Sequence, residues 1–478
     1  MVFSSLTFLF LFLPIVLFLL SLCRKTPYQN TLLFISSLLF YAWGGVSYTL
    51  ILVTSIIVNY LVGNAIQRST RHRKGWFSLG IILNLSSLVF FKYANFLVDN
   101  FNILSGVFGI PPITLKSVLL PIGISFYTFQ AISYLTDVYR GQVQAQTNFI
   151  KLGTYIALFP QLIAGPIIRY REIESQLSER SYTWENLYEG IQRFCLGLAR
   201  KVLIANPLAF IADDIFARAP GTLTSATAWL GALVYALQIY YDFAGYSDMA
   251  IGLGRMFGFR FPENFNFPYM AESIRGFWRR WHITLSAWFK DYLYIPLGGN
   301  RKGKYRTYLN LYIVFFLTGL WHGANWTFVV WGLLHGTFMV IERVGFGNLL
   351  EKTFKPLRIL YTLFVVVVAW VFFRADSLDY AVRFLGRMFS FQFADGMSVF
   401  VAFYNQPRFL IAGAIAVLGS TPLFDVLNRK WKTAIQNGNK GLEHTRYVCV
   451  MLSIVAVLVA SCSFLVTGGY NPFIYFRF

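Results

Sequence analysis

Charge is scarce in this sequence, and negative charge is the scarcer sign. Only 13% of the 478 residues are Asp, Glu, Lys or Arg, and 21 carboxylates stand against 41 basic side chains. An average soluble domain carries about 25% charged residues. Cysteine is scarce too: Cys23, Cys195, Cys449 and Cys462 are scattered, with no CxxC pair. They read as small apolar residues in or near membrane segments rather than as a redox or metal site. With few carboxylates and no HExxH spacing, neither a structural nor a catalytic metal is expected. The chain lacks a GxSxG elbow, which leaves a serine acyl-enzyme without support. It also lacks a GxxxxGK[ST] loop, which argues against a nucleotide-driven pump. Long polar stretches are missing as well, so no separate soluble domain is expected.

What fills the chain is apolar and aromatic. Hydrophobic residues make up 56% of it and aromatic ones 19%, at a mean hydropathy of +0.55. Apolar segments recur from Val2 to Thr467, enough for roughly a dozen spans of about 20 residues. The expected fold is an all-α polytopic membrane bundle forming one domain. The net charge of +20 comes from basic residues in short loops, the pattern of cytoplasmic loops facing anionic lipid, so nucleic acid is not expected as a partner.

The segment Val2–Leu22 has no basic residue before it and no small-residue cleavage site, and it reads as a retained first span. Arg24 and Lys25 follow it, which puts its end in the cytoplasm and the N-terminus outside. Spans near Thr31–Trp43 and Tyr48–Ile66 then lead to the basic Arg68, Arg71, Arg73 and Lys74. Spans near Trp76–Phe91 and Pro121–Leu135 lead back to Arg140 on the same side. Pro160, Gly165 and Pro166 interrupt the next segment, and a broken helix at membrane depth must be packed in protein or line a cavity. Further spans are expected near Leu187–Leu208, Ala228–Tyr241, Leu309–Leu320, Trp326–Ile341, Ile359–Phe373, Phe409–Leu418 and Tyr447–Leu465.

Three of the five histidines lie between Trp278 and Gly336. Ionisable residues in a membrane-type run are costly and point to function by default. The midpoint of His282 and His322 is Lys302, in the basic loop Gly298–Lys304. If the arms flanking that loop are antiparallel helices, the two histidines return to the same depth. Pro296 is expected to break the first arm near its end. In a continuous helix His322, Asn325 and Trp326 would share one face, at i, i+3 and i+4. His335, 13 residues beyond His322, would point about 220° round and reads as a packing residue. His72 and His444 lie in basic loops and read as solvated. Asp242 and Asp248, in YYDFAGYSDM, sit in an otherwise uncharged aromatic context where structural and functional roles both remain open. A buried, neutral imidazole is suited to take a proton from a hydroxyl as that oxygen attacks an activated acyl group.

At this level of detail the chain resembles a known family. The stretches PIGISFYTFQAISYLTDVYRG (Pro121–Gly141), FPQLIAGPIIR (Phe159–Arg169) and YYDFAGYSDMAIGLG (Tyr240–Gly254) carry the likeness. So do Gly258–Arg301, containing FWRRWHITLSAWFKD, and GLWHGANW (Gly319–Trp326). They resemble the membrane-bound O-acyltransferase family, and within it the bacterial alginate O-acetyltransferase branch. The likeness covers essentially the whole chain. It implies a bundle of roughly 11–13 transmembrane segments, some short or re-entrant, around a tunnel suited by breaks at Pro160–Pro166 and Asp242–Phe267, with a catalytic core at about 121–342. It puts the family's invariant histidine on His322, as catalytic base, and a second functional histidine on His282. Trp321, Asn325, Trp326, Arg279, Asp242 and Asp248 are then the expected substrate-binding residues.

The implied reaction is O-acetylation of an extracytoplasmic polysaccharide such as alginate. No bound cofactor is expected, and acetyl-CoA would reach the bacterial inner membrane from the cytoplasm as co-substrate. A periplasmic or extracellular partner would receive the acyl group or assist its transfer. Cellulose, peptidoglycan and other cell-wall polymers are alternative acceptors. D-alanyl transfer from a carrier protein is the alternative within the class. Outside it stand a transporter of lipid-linked or polymeric sugar and a scaffold for a secretion complex. The transporter does not account for two histidines flanking one loop, and the scaffold predicts assembly defects rather than a chemical one when the histidines change.

Overall fold

The computed structural model describes residues 1–392, 404–436, 440–468, 470–472 and 474, and these form helices and connecting segments with no strand. In chain order the longer helices are α1 (Phe8–Leu22), α2 (Thr26–Ala42), α3 (Val46–Arg68), α4 (Arg73–Val107), α5 (Ile124–Tyr139) and α6 (Phe149–Ala157). They are followed by α7 (Trp184–Ala217), α8 (Ser225–Met256), the short α9 (Ile283–Phe289), α10 (Lys304–His322), α11 (Trp326–Glu351) and α12 (Lys355–Arg374). The C-terminal part contains α13 (Leu378–Met388), α14 (Pro407–Gly419), α15 (Leu423–Gln436) and α16 (Lys440–Val466). The expected all-α, multi-pass membrane architecture is what the chain adopts.

Among the described residues, six helices are long and apolar enough to cross a bilayer, and seven if the bent pair Pro407–Gly419 and Leu423–Trp431 is one span. That is fewer than the apolar segments counted in the sequence. Most of the remaining segments are helices too, but several are short (α1, α6) or carry polar residues that the bundle itself buries, and the one interrupted by Pro160, Gly165 and Pro166 is irregular from residue 163 to 169. In α5 every residue from Ile124 to Val138 is buried, including Gln130, Ser133 and Asp137. Such a helix is covered by protein rather than by lipid, so it needs no uniformly apolar surface.

The core is built on the α7–α8 pair, which runs side by side over most of its length. Glycines at matched positions set the spacing. A Cβ on Gly197 would lie 2.6 Å from the carbonyl oxygen of Gly245, and one on Gly190 would lie 2.7 Å from that of Gly252. Small residues on facing turns let membrane helices approach until their backbones touch. Here they allow ion pairs to close between the two helices.

Two expectations about local structure change. The break anticipated from Asp242 begins only after Met256, because α8 runs unbroken through both aspartates. Each aspartate is neutralised by a neighbouring helix: Asp242 by Lys201 at 2.5 Å, and Asp248 by Arg193 at 2.6 Å and by Arg200. The irregular stretch starts at Phe257 and turns back on itself, with the Asn266 amide donating to the Arg280 carbonyl at 2.9 Å. The second change is at Gly323, where α10 ends. Gly323 is extended, and Asn325 caps the new helix α11 by accepting the Thr327 amide at 3.0 Å. A side chain at Gly323 is excluded, since its Cβ would lie 2.1 Å from the Phe328 ring. His322, Asn325 and Trp326 therefore do not share a helical face.

Candidate active site

The two arms around the basic loop are antiparallel, as their spacing suggests. The first is α9 with the π-helical turn Lys290–Tyr294, and Pro296 lies just beyond it. The second is α10. His282 begins the first arm and His322 ends the second, and both rings meet Trp321. Ring centroids are 6.0 Å apart for His282 and Trp321 and 5.0 Å for Trp321 and His322. The row continues through Trp331, 5.0 Å from His322, to His335, 5.1 Å further on. Imidazoles and indoles thus alternate through the core. His335 lines none of the cavities described below and packs against Phe277 and Trp278.

Position in the chain makes His282 unusual. Its φ of 44° and ψ of 55° put a bulky residue in the left-handed region. Such strain persists only where surrounding structure enforces it, and it is concentrated at functional sites. The enforcing residue is Asn264. Its backbone carbonyl accepts the Ile283 amide at 3.0 Å, and its Oδ1 accepts the Thr284 amide at 3.3 Å and the Thr284 hydroxyl at 2.9 Å. His282 Nδ1 lies 3.1 Å from the same Oδ1. A backbone amide can only donate, so this atom is the acceptor oxygen of the Asn264 amide. The proton must then sit on Nδ1, which leaves a lone pair on Nε2. That Nε2 is buried without a hydrogen-bond partner among the described residues. Asn264 went unnoticed in the sequence, where nothing marks one asparagine in FPENFNF as a histidine orienter.

His322 is held differently. Neither of its ring nitrogens has a hydrogen-bond partner among the described residues. Its ring is boxed by Trp321, Trp331 and Phe373, the last at 5.2 Å. The hairpin bearing it is tight, for a Cβ on Gly319 would lie 2.3 Å from the Phe328 carbonyl oxygen and one on Gly332 would lie 2.2 Å from that of Phe315.

His322 and Trp321 border a cavity of about 200 Å³ shared with Lys92, Ser125, Phe126 and Ile163. A second cavity of about 170 Å³, largely apolar, lies along the lower part of α10 between Lys290 and Thr318. Thr318 is one helical turn before His322. A third, of about 320 Å³, lies beside the Gly323–Asn325 turn and reaches Phe373 and Arg374.

The predicted substrate residues divide accordingly. Trp321 lies between the two histidines and lines the first cavity. Asn325 lines the third cavity and ties α11 to the end of α12 by donating to the Asp376 carbonyl at 3.1 Å. Trp326 is half exposed and donates to Asn100 at 2.8 Å, outside these cavities. Arg279 is exposed, because the turn after the short helix Ile274–Trp278 points it away from the buried His282. Asp242 and Asp248 line none of the three cavities and serve the ion pairs between α7 and α8. Lys92, which lines the cavity with His322, was missed.

Comparison with known proteins shows the family. The model of the MBOAT, membrane-bound O-acyltransferase family, matches residues 133–382. The probable alginate O-acetylase AlgI of Pseudomonas putida is 44% identical over 489 residues, covering the whole of both chains. The probable alginate O-acetylase AlgI of Azotobacter vinelandii is 49% identical over 82% of this chain and 78% of its own. The peptidoglycan O-acetyltransferase of Helicobacter pylori is 38% identical over 81% of this chain and 80% of its own. This multi-pass membrane protein is an O-acyltransferase of the membrane-bound O-acyltransferase family.

Proposed function

We propose that this chain transfers an acetyl group from cytoplasmic acetyl-CoA for O-acetylation of an extracytoplasmic polysaccharide, with His322 as general base. The observation that carries this reading is the imidazole of His322, unpartnered among the described residues, at the wall of the Lys92 cavity and one helical turn beyond Thr318, where the apolar cavity along α10 ends. The apolar cavity from Lys290 to Thr318 suits the acyl-pantetheine end of a thioester donor. The cavity with Lys92 suits the incoming hydroxyl. In the reaction His322 takes the hydroxyl proton as the oxygen attacks the thioester carbonyl. The new C–O bond forms, the C–S bond breaks, and the proton passes to the departing thiolate. His282, which lines none of the three cavities, faces the site through Trp321, and its Nε2, unpartnered among the described residues, makes it the second polar group behind the reacting centre. Trp321 walls the site, while Asn325 holds the turn after it.

The basic loops support the orientation. Arg73 donates to the Val138 carbonyl at 2.9 Å, and Arg140 donates to the Asp291 carbonyl at 3.2 Å. The ends of α3 and α5, the start of α4 and the first histidine arm therefore share one basic face. The positive-inside rule supports reading that face as cytoplasmic and the N-terminus as extracytoplasmic, with the bacterial inner membrane as the proposed location. The relatives named as alginate O-acetylases make alginate the first acceptor to test. A protein partner outside the membrane would take up or pass on the acetyl group.

The test is transfer from radiolabelled acetyl-CoA in inverted membrane vesicles supplied with candidate polymers and partner proteins. Saturable, donor-dependent labelling is expected. Labelling that requires an aminoacylated carrier protein instead would replace acetyl-CoA as donor, and sugar flux without any acyl donor would favour a transporter. In the same assay Asn264→Leu should lower transfer by about ten- to a hundredfold, since it frees the His282 ring to adopt the other tautomer. Asn264→Asp keeps an acceptor at that position and should lose less. Equal loss in both variants would show that the hydrogen bond to Nδ1 is not what matters.

A further inference from the structure

Among the described residues the proposed base has no side-chain hydrogen bond, so its placement rests on the three rings that box it and on the backbone beneath it. That backbone is the last turn of α10, where a helix leaves carbonyls without amide partners. Gly323 still donates to the Gly319 carbonyl at 3.3 Å, but the chain then turns away. The carbonyls of Leu320, Trp321 and His322 need donors from elsewhere, and two consecutive residues of α4 supply them. The Tyr93 hydroxyl donates to Leu320 at 2.7 Å. The Lys92 ammonium donates to Trp321 and, at 3.2 Å, to His322. Its remaining N–H faces the Ser125 hydroxyl of α5 at 3.3 Å.

Both residues fall in the π-helical turn Val89–Tyr93 of α4. Such a turn inserts a residue into the helix and re-aims its neighbours, and it is frequent at functional sites. A cation at membrane depth is costly unless something there favours the charge. Among the described residues no ion pair pairs Lys92 with a carboxylate. The favourable partner is the C-terminal end of α10, where aligned peptide dipoles concentrate negative potential. The Trp321 ring, with its centroid 5.9 Å from Nζ, adds a cation–π contact. All three ammonium donors have acceptors, so Lys92 does not need a substrate atom to complete its bonding. Its charge nevertheless borders the cavity that His322 lines.

We propose that Lys92 is a positioning residue for the reaction. Its ammonium fastens the last two carbonyls of α10 and so fixes His322 toward the acceptor cavity, with Tyr93 completing the clasp. The proposal rests on the reading of His322 as base. It names a residue of α4, more than two hundred positions away in the chain, as a determinant of turnover.

The experiment compares Lys92→Met, Lys92→Arg and His322→Ala by kcat and KM for acetyl-CoA, with thermal survival of the detergent-solubilised protein as a control. A misplacement of about 1 Å at a reacting centre can cost about a hundredfold. Lys92→Met should therefore lower kcat at least about tenfold with donor KM changed less than about twofold. Lys92→Arg, which keeps cationic donors, should recover part of kcat. Should the Met protein fail to fold, Lys92→Gln keeps two donors and replaces it. Wild-type kcat in Lys92→Met overturns the proposal, as does a raised KM at unchanged kcat. Parallel loss of stability and activity that Arg does not relieve overturns it too, in favour of a purely structural lysine. If His322→Ala is inactive while Lys92→Met turns over normally, the clasp alone fails. If His322→Ala turns over normally, the assignment of the base fails.

Discussion

His322→Ala should lower acyl transfer by at least about a hundredfold while leaving a folded, membrane-inserted protein. A positioned general base contributes about 10²- to 10⁴-fold, and the loss should fall within that range. The structure separates this effect from misfolding. Neither ring nitrogen of His322 is hydrogen-bonded among the described residues, so truncation strands no protein partner. It removes ring contacts to Trp321, Trp331 and Phe373 and enlarges a cavity that already exists. The apolar cavity from Lys290 to Thr318 is untouched, so donor binding should persist and the defect should appear in kcat. Measurement of label transfer at matched protein levels, with donor binding scored separately, checks both halves. Full activity in the variant would remove His322 from the chemistry. His282→Ala should fall in the same direction, but with some loss of fold, since His282 is wholly buried at a strained turn held by Asn264.

The histidine arms could be read from the sequence because their evidence is local. A basic loop, a histidine on each side and a proline near one end are features of one short stretch, and geometry only had to fold it in half. The span Trp326–Ile341 was equally legible, since it follows an asparagine cap, although the helix runs on through a π-helical turn at Glu342–Phe346 to Glu351. The same asparagine marks the break between the spans expected at Leu309–Leu320 and Trp326–Ile341, which is why His322, Asn325 and Trp326 do not share the face a continuous helix would give them. Lys92 satisfies the same rule that singled out the histidines, yet it lies one residue beyond the span expected at Trp76–Phe91 and was not singled out. Asn264 had no such mark. Its role exists only because residues 257–282 turn back so that one carboxamide meets Ser247, His282 and Thr284. The aspartates illustrate the general limit. Their partners are 41 to 55 residues away on α7, so the residues alone left structural and functional roles open, and the ion pairs became visible only once α7 and α8 were packed together.

Asp242 provides the sharpest test of that distinction. Its ion pair with Lys201 is almost completely buried, with side-chain exposures of 2% and 3%. The pair also fastens the C-terminal segment, because Lys201 donates to the Pro472 carbonyl and Asp242 accepts the Ile474 amide at 2.9 Å. Removing one member of a buried pair leaves an uncompensated charge and costs about 3–5 kcal/mol, whereas replacing both with apolar or neutral groups can be close to neutral. Asp242→Asn alone should therefore lower markedly the temperature at which the solubilised protein stays monodisperse. Asp242→Asn combined with Lys201→Met should regain most of that loss, although each substitution removes a charge. A substrate-binding Asp242 would behave in the opposite way. Asp242→Asn would then leave thermal survival intact and raise KM, and the Lys201 substitution would restore nothing. Asp248 should show a weaker version of the structural pattern, because Arg193 and Arg200 are each about a quarter to a third exposed, so solvent can take up the charge left behind. The ordering of the two sites by stability loss, Asp242 above Asp248, follows from burial alone and involves no assumption about the substrate.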